Sequence, residues 1–136
     1  MNRLWSSTLG ALILSLACLL PGVARSAMAD QPSAQSGDPV AGKGIFERRC
    51  TGCHALEQNR EGPKLQGVYG RTSGTAPNFS YTPELVKAAI VWDESSLEKW
   101  LSGPDNLVPG TAMDFHVPNP AERRDLISFL KQISGK

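Results

Sequence analysis

The sequence predicts an all-α fold of about four helices, and three observations support this fold class. Apolar residues recur at helical spacing, most clearly between Leu126 and Ile133. Capping residues followed by proline or an acidic residue mark helix starts at positions 38, 82, 93 and 119. No convincing run of alternating apolar and polar residues indicates a strand.

Residues 1–29 have the features of a secretory signal peptide. Arg3 precedes an uncharged apolar run from Leu9 to Leu20, and the small-residue site Ala27-Met28-Ala29 follows. The run is short for a bilayer, and no later segment is apolar enough to span one. We therefore expect an exported protein with no stable membrane insertion after cleavage. Lipid attachment at Cys18 and an uncleaved anchor are the alternatives.

Cleavage after residue 29 would leave 107 residues, which is a single domain by length. Removing Arg3 and Arg25 from the 14 basic residues leaves 12 against 13 acidic ones, a net charge of −1. This charge argues against nucleic acid as a partner. Residues 30–37 are polar and small, so we expect a disordered leader before a domain at 38–136.

The first predicted helix begins after Asp38, a capping residue followed by proline, and runs up to Cys50. Gly42 and Gly44 weaken this helix intrinsically. Two glycines in a short helix are explained if the backbone of another helix passes close to them. The last helix is the expected neighbour, so the two terminal helices should pack together.

The last predicted helix has Asn119 as its cap, and Glu122 is expected to be the reciprocal acidic partner of a capping box. Its apolar residues recur at helical spacing and are interpreted as core rather than as a binding surface. These residues are Leu126, Ile127, Phe129, Leu130 and Ile133.

Two short helices are predicted in the middle of the chain, after Thr82-Pro83 and after Asp93-Glu94. Residues 62–81, before them, are rich in glycine and proline and predict a long loop. Such a loop is reasonable if it wraps a cofactor, and Tyr69, Phe79 and Tyr81 would then contact that cofactor. Ordinary core packing is the alternative for Tyr69 and Phe79.

Cys50-Thr51-Gly52-Cys53-His54 is the signature of covalent haem c attachment. Each cysteine can form a thioether with one vinyl group of the porphyrin, and His54 then lies under the iron as an axial ligand. A zinc site would need about four nitrogen or sulfur ligands, and outside this motif the chain offers only Cys18, in the predicted signal peptide, and His116. Zinc is therefore disfavoured. A thioredoxin-like pair would be expected near a βαβ pattern, whereas these cysteines follow a predicted helix.

The second axial ligand has two candidates in one loop. Met113 is the only methionine after the predicted signal peptide, and it follows Val108-Pro109-Gly110-Thr111-Ala112, an extended segment that can project a side chain inward. Its thioether would give a high-potential iron. His116 would instead give a bis-histidine site of lower potential. An exposed histidine without a role, and a methionine that only fills core space, are the remaining alternatives.

The chain resembles class I c-type cytochromes, namely mitochondrial-type cytochrome c and its bacterial periplasmic relatives, over nearly all of residues 37–136. The resemblance lies in Gly42-Lys43-Gly44-Ile45-Phe46, the haem motif, Gly62-Pro63-Lys64-Leu65, Gly67-Val68-Tyr69-Gly70-Arg71, Tyr81-Thr82, Trp92, Pro109-Gly110-Thr111-Ala112-Met113 and Arg124-Asp125-Leu126-Ile127-Ser128-Phe129-Leu130. It implies a small cytochrome c fold wrapped around one covalent haem, and location in the periplasm.

The resemblance also implies roles for individual residues. The carbonyl of Pro63 would accept a hydrogen bond from His54, and Arg71, Tyr81 and Trp92 would hold a buried haem propionate. Gly42 would pack near Phe129 on the last helix. Trp100 and Phe115 would lie in the haem environment, with Trp100 where the family commonly has tyrosine and Leu85 where a polar residue is common.

The function implied is one-electron transfer between transiently bound redox proteins by a monomer that is not an enzyme. Asp105, Asn106 and Ala112 stand where mitochondrial members usually have lysine, so we expect partner association to depend weakly on salt. A haem-based sensor or peroxidase-like enzyme with an open iron position is the alternative from another class. A dedicated electron-accepting subunit of a dehydrogenase is a third possibility.

Overall fold

The computed structural model describes residues 36–136, which contain five α-helices. They are α1 (Pro39–Arg49), α2 (Pro83–Ala88), α3 (Glu94–Ser102), α4 (Pro104–Leu107) and α5 (Pro120–Ile133). The predicted all-α class is confirmed. The described residues form no strand, and their one isolated β-bridge joins Thr72 to Val91.

The predicted signal peptide and residues 30–35 of the predicted leader lie outside the described residues. Gly37, the last residue of that leader, lies against the backbone of Arg124 in α5, and a Cβ at this position would collide with it. Between residues 36 and 136, no helix is long and apolar enough to cross a membrane.

Helices α1 and α5 pack directly against each other, as the sequence predicted. A Cβ on Gly42 would collide with the carbonyl of Asp125 and would lie 2.8 Å from Cβ of Phe129. The rings of Phe46 and Phe129 meet beside it, with centroids 5.5 Å apart. Asp125 also accepts a hydrogen bond from the backbone N–H of Asp38 at 2.8 Å. The two ends of the domain are therefore joined by apolar packing and by hydrogen bonding.

Two details of this helix pair differ from the prediction. A Cβ on Gly44 would meet only the guanidinium end of Arg48, at 3.1 Å, so no helix backbone explains this glycine. Asn119 caps α5 by accepting from the N–H of Ala121, but Glu122 does not complete a capping box. Its carboxylate instead pairs with Arg49 of α1 at 3.0 Å, because an ion pair across the helix interface is within its reach.

Helices α2 and α3 begin at the predicted caps, Thr82 and Asp93. Asp93 and Ser96 form a reciprocal capping box. Helix α4 was not predicted, because its four residues are too few to show a periodic pattern. It begins at Pro104 and turns the chain immediately after α3.

The loop between α1 and α2 is held by hydrogen bonds rather than by helices. The backbone N–H of Leu65 donates to Ala55 at 3.0 Å, and that of Gln66 donates to Leu56 at 2.8 Å. Buried Ser73 donates through its hydroxyl to the carbonyl of Leu85 and accepts from the N–H of Ile90. These contacts satisfy backbone groups that would otherwise be unpaired, and they fix the loop on α2.

Candidate haem site

The ten residues that the sequence assigned to a haem site line a single cavity of about 390 Å³. They are Cys50, Cys53, His54, Pro63, Arg71, Tyr81, Trp92, Trp100, Met113 and Phe115. These residues come from the end of α1, from α3 and from three separate loop segments. The fold therefore brings together residues that lie far apart in the chain.

The two cysteines and His54 reach the cavity from the turn that ends α1. The N–H of Cys50 donates to the carbonyl of Phe46 at 2.8 Å, which closes the last turn of the helix. The carbonyl of Cys50 then accepts from the N–H groups of Cys53 and His54, at 3.2 and 2.8 Å. Both cysteines are free thiols, so both sulfur atoms can react.

Cys50 is the less exposed of the two thiols. Burial raises its pKa to about 11, with Arg49 acting in the opposite direction and Cys53 adding to the rise. The thiol is therefore protonated at neutral pH. A neutral thioether suits such a position better than a thiolate metal ligand, because it carries no charge that must be desolvated.

His54 is held in one orientation by its neighbours. Its Nδ1 lies 2.8 Å from the carbonyl oxygen of Pro63, which can only accept, so Nδ1 carries the proton. Burial lowers the pKa of His54, although the bond to Pro63 acts in the opposite direction. The imidazole is therefore neutral at neutral pH, and the lone pair of Nε2 is left to bind a metal.

Arg71, Tyr81 and Trp92 supply polar groups on another part of the cavity wall. The backbone N–H of Trp92 donates to the carbonyl of Arg71 at 2.9 Å, so these two residues lie side by side. The guanidinium of Arg71 donates to the carbonyls of Lys64 and Gln66, at 2.9 and 3.3 Å. Burial lowers the pKa of Arg71, and the interaction with Tyr81 acts in the opposite direction. A carboxylate brought here would meet a fixed, partly desolvated cation.

Met113 and His116 have different positions, although they are three residues apart. Met113 lines the cavity and packs against the hydrophobic core. His116 is exposed and lines a separate surface depression with Asp105 and Asp114. Of the two candidates for the second axial ligand, only Met113 lies at the cavity among the described residues.

Aromatic side chains form much of the remaining wall. Trp92 and Trp100 are buried, with ring centroids 5.2 Å apart. Phe115 lies at the cavity with 40% of its surface exposed. Phe79 and Tyr81 also line the cavity, in an edge-to-face pair at 4.8 Å. Of the two alternatives for Tyr69, core packing agrees with the structure, because Tyr69 packs against the hydrophobic core and is not among the residues that line the cavity. Nζ of Lys131 lies over its ring, 5.5 Å from the centroid.

Five apolar helix residues also line the cavity, and the sequence had indicated only a structural role for them. They are Phe46, Leu97, Leu101, Leu126 and Leu130. The interpretation of the α5 stripe as core and not binding surface is therefore incomplete. Leu126 and Leu130 are four residues apart, and their shared helix face borders the cavity. A periodic pattern marks a buried face but does not reveal whether protein or cofactor covers it.

This cavity fits a covalently attached haem. The wall is mostly apolar, as a porphyrin requires, and two free thiols lie beside a neutral imidazole. The partly buried cation of Arg71 fits the negative charge of a propionate. Leu85, which also lines the cavity, adds to the apolar surface.

Comparison with known proteins agrees with this geometry. The cytochrome c family model matches residues 39–134. Cytochrome c of Euglena viridis is 44% identical over 100 residues, covering 71% of this chain and 98% of its own length. Cytochrome c2 of Rhodopila globiformis is 40% identical over 104 residues, which cover 74% of this chain and 98% of that protein.

A solved structure shows the same architecture. Cytochrome cH from Methylobacterium extorquens is 37% identical, with a TM-score of 0.67 over 71% of this chain and 99% of that one. Fold and cavity thus define a class I c-type cytochrome, a class of electron carriers. The chain belongs to the cytochrome c family, whose members carry covalent haem c.

Proposed function

We propose that this protein is an exported one-electron carrier in which His54 and Met113 are the axial ligands of one covalently bound haem c. The observation that carries the proposal is that His54 and Met113 line the same cavity as Cys50 and Cys53. Haem c, when bound, supplies an iron that accepts and returns one electron. No substrate bond is made or broken.

The chain contributes two neutral ligands in this proposal. His54 presents Nε2 as a neutral donor, and the hydrogen bond to Pro63 keeps the imidazole from rotating. Met113 provides a soft thioether, which favours the reduced iron and raises the potential. The position of His116 outside the cavity supports methionine over the bis-histidine alternative.

The cavity wall controls solvent and charge. Buried Trp92 and Trp100 and the apolar side chain of Leu85 line the cavity, where they exclude water and so lower the dielectric constant of the site. Arg71 balances a propionate charge that would otherwise be costly to bury. Tyr81 and Trp92 can donate hydrogen bonds to the same group.

The proposed carrier is a monomer that binds its redox donors and acceptors transiently. Partly exposed Phe115 and exposed Cys53 mark where the cavity reaches the surface, and we propose docking over this edge. Export to the periplasm is supported by the signal-type sequence of residues 1–29.

The test is a visible and near-infrared spectrum of the haem-loaded protein, oxidised and reduced, with carbon monoxide added to the reduced form. A sulfur-to-iron charge-transfer band without a response to carbon monoxide is expected. A carbon monoxide shift without that band would indicate an open iron position and a sensor or enzyme. Absence of both would point to His116, and a Met113→His variant provides the reference spectrum for a bis-histidine site.

A further inference from the structure

The segment that carries Met113 is held almost entirely at its ends. Among the described residues, positions 112–116 take part in no hydrogen bond, either of the backbone or of a side chain. Met113 is partly buried against the core, whereas the other four positions are exposed. The location of Met113 therefore depends on how the chain is fixed before residue 112 and after residue 116.

The attachment before Met113 lies at the surface. The N–H of Gly110 donates to the carboxylate of Asp105 at 2.9 Å, and the N–H of Thr111 donates to the carbonyl of Val108 at 3.2 Å. Asp105 and Gly110 are exposed, so water competes for both groups of the first bond. This attachment is the weaker of the two.

The attachment after Met113 is buried and involves both backbone groups of Val117. This residue is fully buried, with 0% of its surface exposed. Its N–H donates to the carbonyl of Leu101 in α3 at 2.7 Å, and its carbonyl accepts from Nη1 of Arg123 at 2.7 Å. The same Nη1 donates to the carbonyl of Pro118 at 2.9 Å.

Glu98 of α3 holds the rest of the Arg123 guanidinium. Nε and Nη2 of Arg123 both lie 2.7 Å from Oε1 of Glu98. The arginine is 9% exposed, so its charge needs a counter-ion. Oε2 of Glu98 is buried and has no hydrogen-bond partner within the described part of the chain. A single carboxylate therefore fixes the orientation in which Arg123 reaches Val117 and Pro118.

We propose that Arg123 is a positioning residue for Met113, and that Glu98 is the counter-charge that keeps Arg123 in place. The inference rests on the proposed function, because it requires Met113 to be an iron ligand. With residues 117 and 118 fixed between α3 and α5, only three residues separate Met113 from the fixed backbone, and this short span restricts how far its sulfur can move away. Without this attachment, conformations in which the sulfur of Met113 lies away from the iron become more populated.

Three variants of the haem-loaded full-length protein test this role. Glu98→Gln keeps an oxygen acceptor but removes the charge, and Arg123→Lys keeps the charge but cannot donate to the carboxylate and both carbonyls together. Glu122→Gln is the matched control, because it removes the carboxylate charge that pairs with Arg49 and so links α5 to α1. Within residues 36–136, Glu122 forms no hydrogen bond or ion pair with positions 112–116. Imidazole is the probe, since it binds oxidised iron where the methionine has left.

We expect Glu98→Gln and Arg123→Lys to bind imidazole about tenfold more tightly than the wild type, a change equivalent to about 1.4 kcal/mol in loop opening. When the variants are heated, their sulfur-to-iron band should weaken at a lower temperature than the band of the wild type. Glu122→Gln should lower the unfolding temperature without changing imidazole affinity. This contrast separates control of the loop from a general loss of stability.

The outcomes distinguish the inference from the function on which it rests. If the wild type lacks the sulfur-to-iron band, Met113 is not a ligand and both proposals fail. If the wild type has the band but Glu98→Gln and Glu122→Gln bind imidazole equally, the inference alone is overturned. Should Arg123→Lys not fold, Glu98→Gln decides the question, since its neutral side chain has nearly the same shape.

Discussion

The carbonyl oxygen of Pro63 lies 2.8 Å from Nδ1 of His54. The residue before this proline, Gly62, lies so close to the imidazole that a Cβ would collide with three of its ring atoms. Gly62 is fixed in turn by its N–H, which donates to the carbonyl of Cys53 at 2.9 Å. The imidazole is therefore oriented by a hydrogen bond and by contact with a residue that has no side chain.

Replacement of Gly62 by alanine should displace the imidazole and destabilise the protein. Forcing a methyl group into a packed site typically costs about 1–3 kcal/mol in the free energy of unfolding. Denaturant unfolding of the haem-loaded protein measures this loss, and the absorption spectrum reports the changed histidine geometry. Gly52→Ala is the control, because a Cβ at Gly52 would meet no atom within 4 Å. Equal stability of the two variants would contradict this account.

The two glycines of α1 should respond to alanine in opposite ways. Gly42→Ala places a methyl group against the backbone of Asp125, so we expect a loss of at least about 1–3 kcal/mol in the free energy of unfolding. Gly44→Ala meets only the flexible end of Arg48, and an alanine inside a helix gains about 0.5–1 kcal/mol over glycine. Thermal unfolding of both variants is the measurement. Destabilisation by both would imply a second close contact at Gly44.

Local signals in the sequence were sufficient to predict α1, α2, α3 and α5. Each begins at a capping residue that the structure confirms, from Asp38 to Asn119. The haem motif likewise lies within five consecutive residues. The contact of Gly42 with α5 could be predicted because a glycine in a helix requires a reason.

Features that depend on tertiary packing were not visible in the sequence. Glu122 stands where a capping box needs it, but its carboxylate reaches Arg49 instead. Tyr69 and Phe79 are aromatic residues in the same loop, yet of these two only Phe79 lines the cavity. The link from Glu98 to Val117 through Arg123 joins positions that no periodic pattern relates.

Removal of the Arg71 charge should lower the reduction potential. A cation near the iron favours the reduced state, which carries one positive charge fewer, so its loss stabilises the oxidised state. For a partly buried charge the expected decrease is of the order of tens of millivolts. Redox titration of Arg71→Gln measures it, and Arg48→Gln, which removes an exposed charge outside the cavity, is the control. A potential that falls equally in both variants would show that only net charge matters.

Association with redox partners should depend weakly on ionic strength. Asp105, Asn106 and Ala112, which stand where mitochondrial members usually have lysine, are all exposed in the structure. Ala112 also lines the cavity, so a charge there would lie near the proposed docking edge. Because few steering cations remain, the association rate should fall less than about tenfold between low and high salt.

Ala112→Lys provides the test of this steering argument, with Ala112→Gln as the matched neutral variant. Stopped-flow electron transfer with one acidic and one basic redox protein, across a range of salt, separates charge from shape. With the acidic partner, the lysine should make the association rate fall more steeply as salt is added, because salt screens the new attraction. With the basic partner, the lysine should make the rate rise as salt is added, because salt screens the new repulsion. Glutamine should leave both slopes unchanged. A wild-type rate that already falls steeply with salt would mean that cations elsewhere, such as Lys64 or Lys99, dominate the approach of the partner.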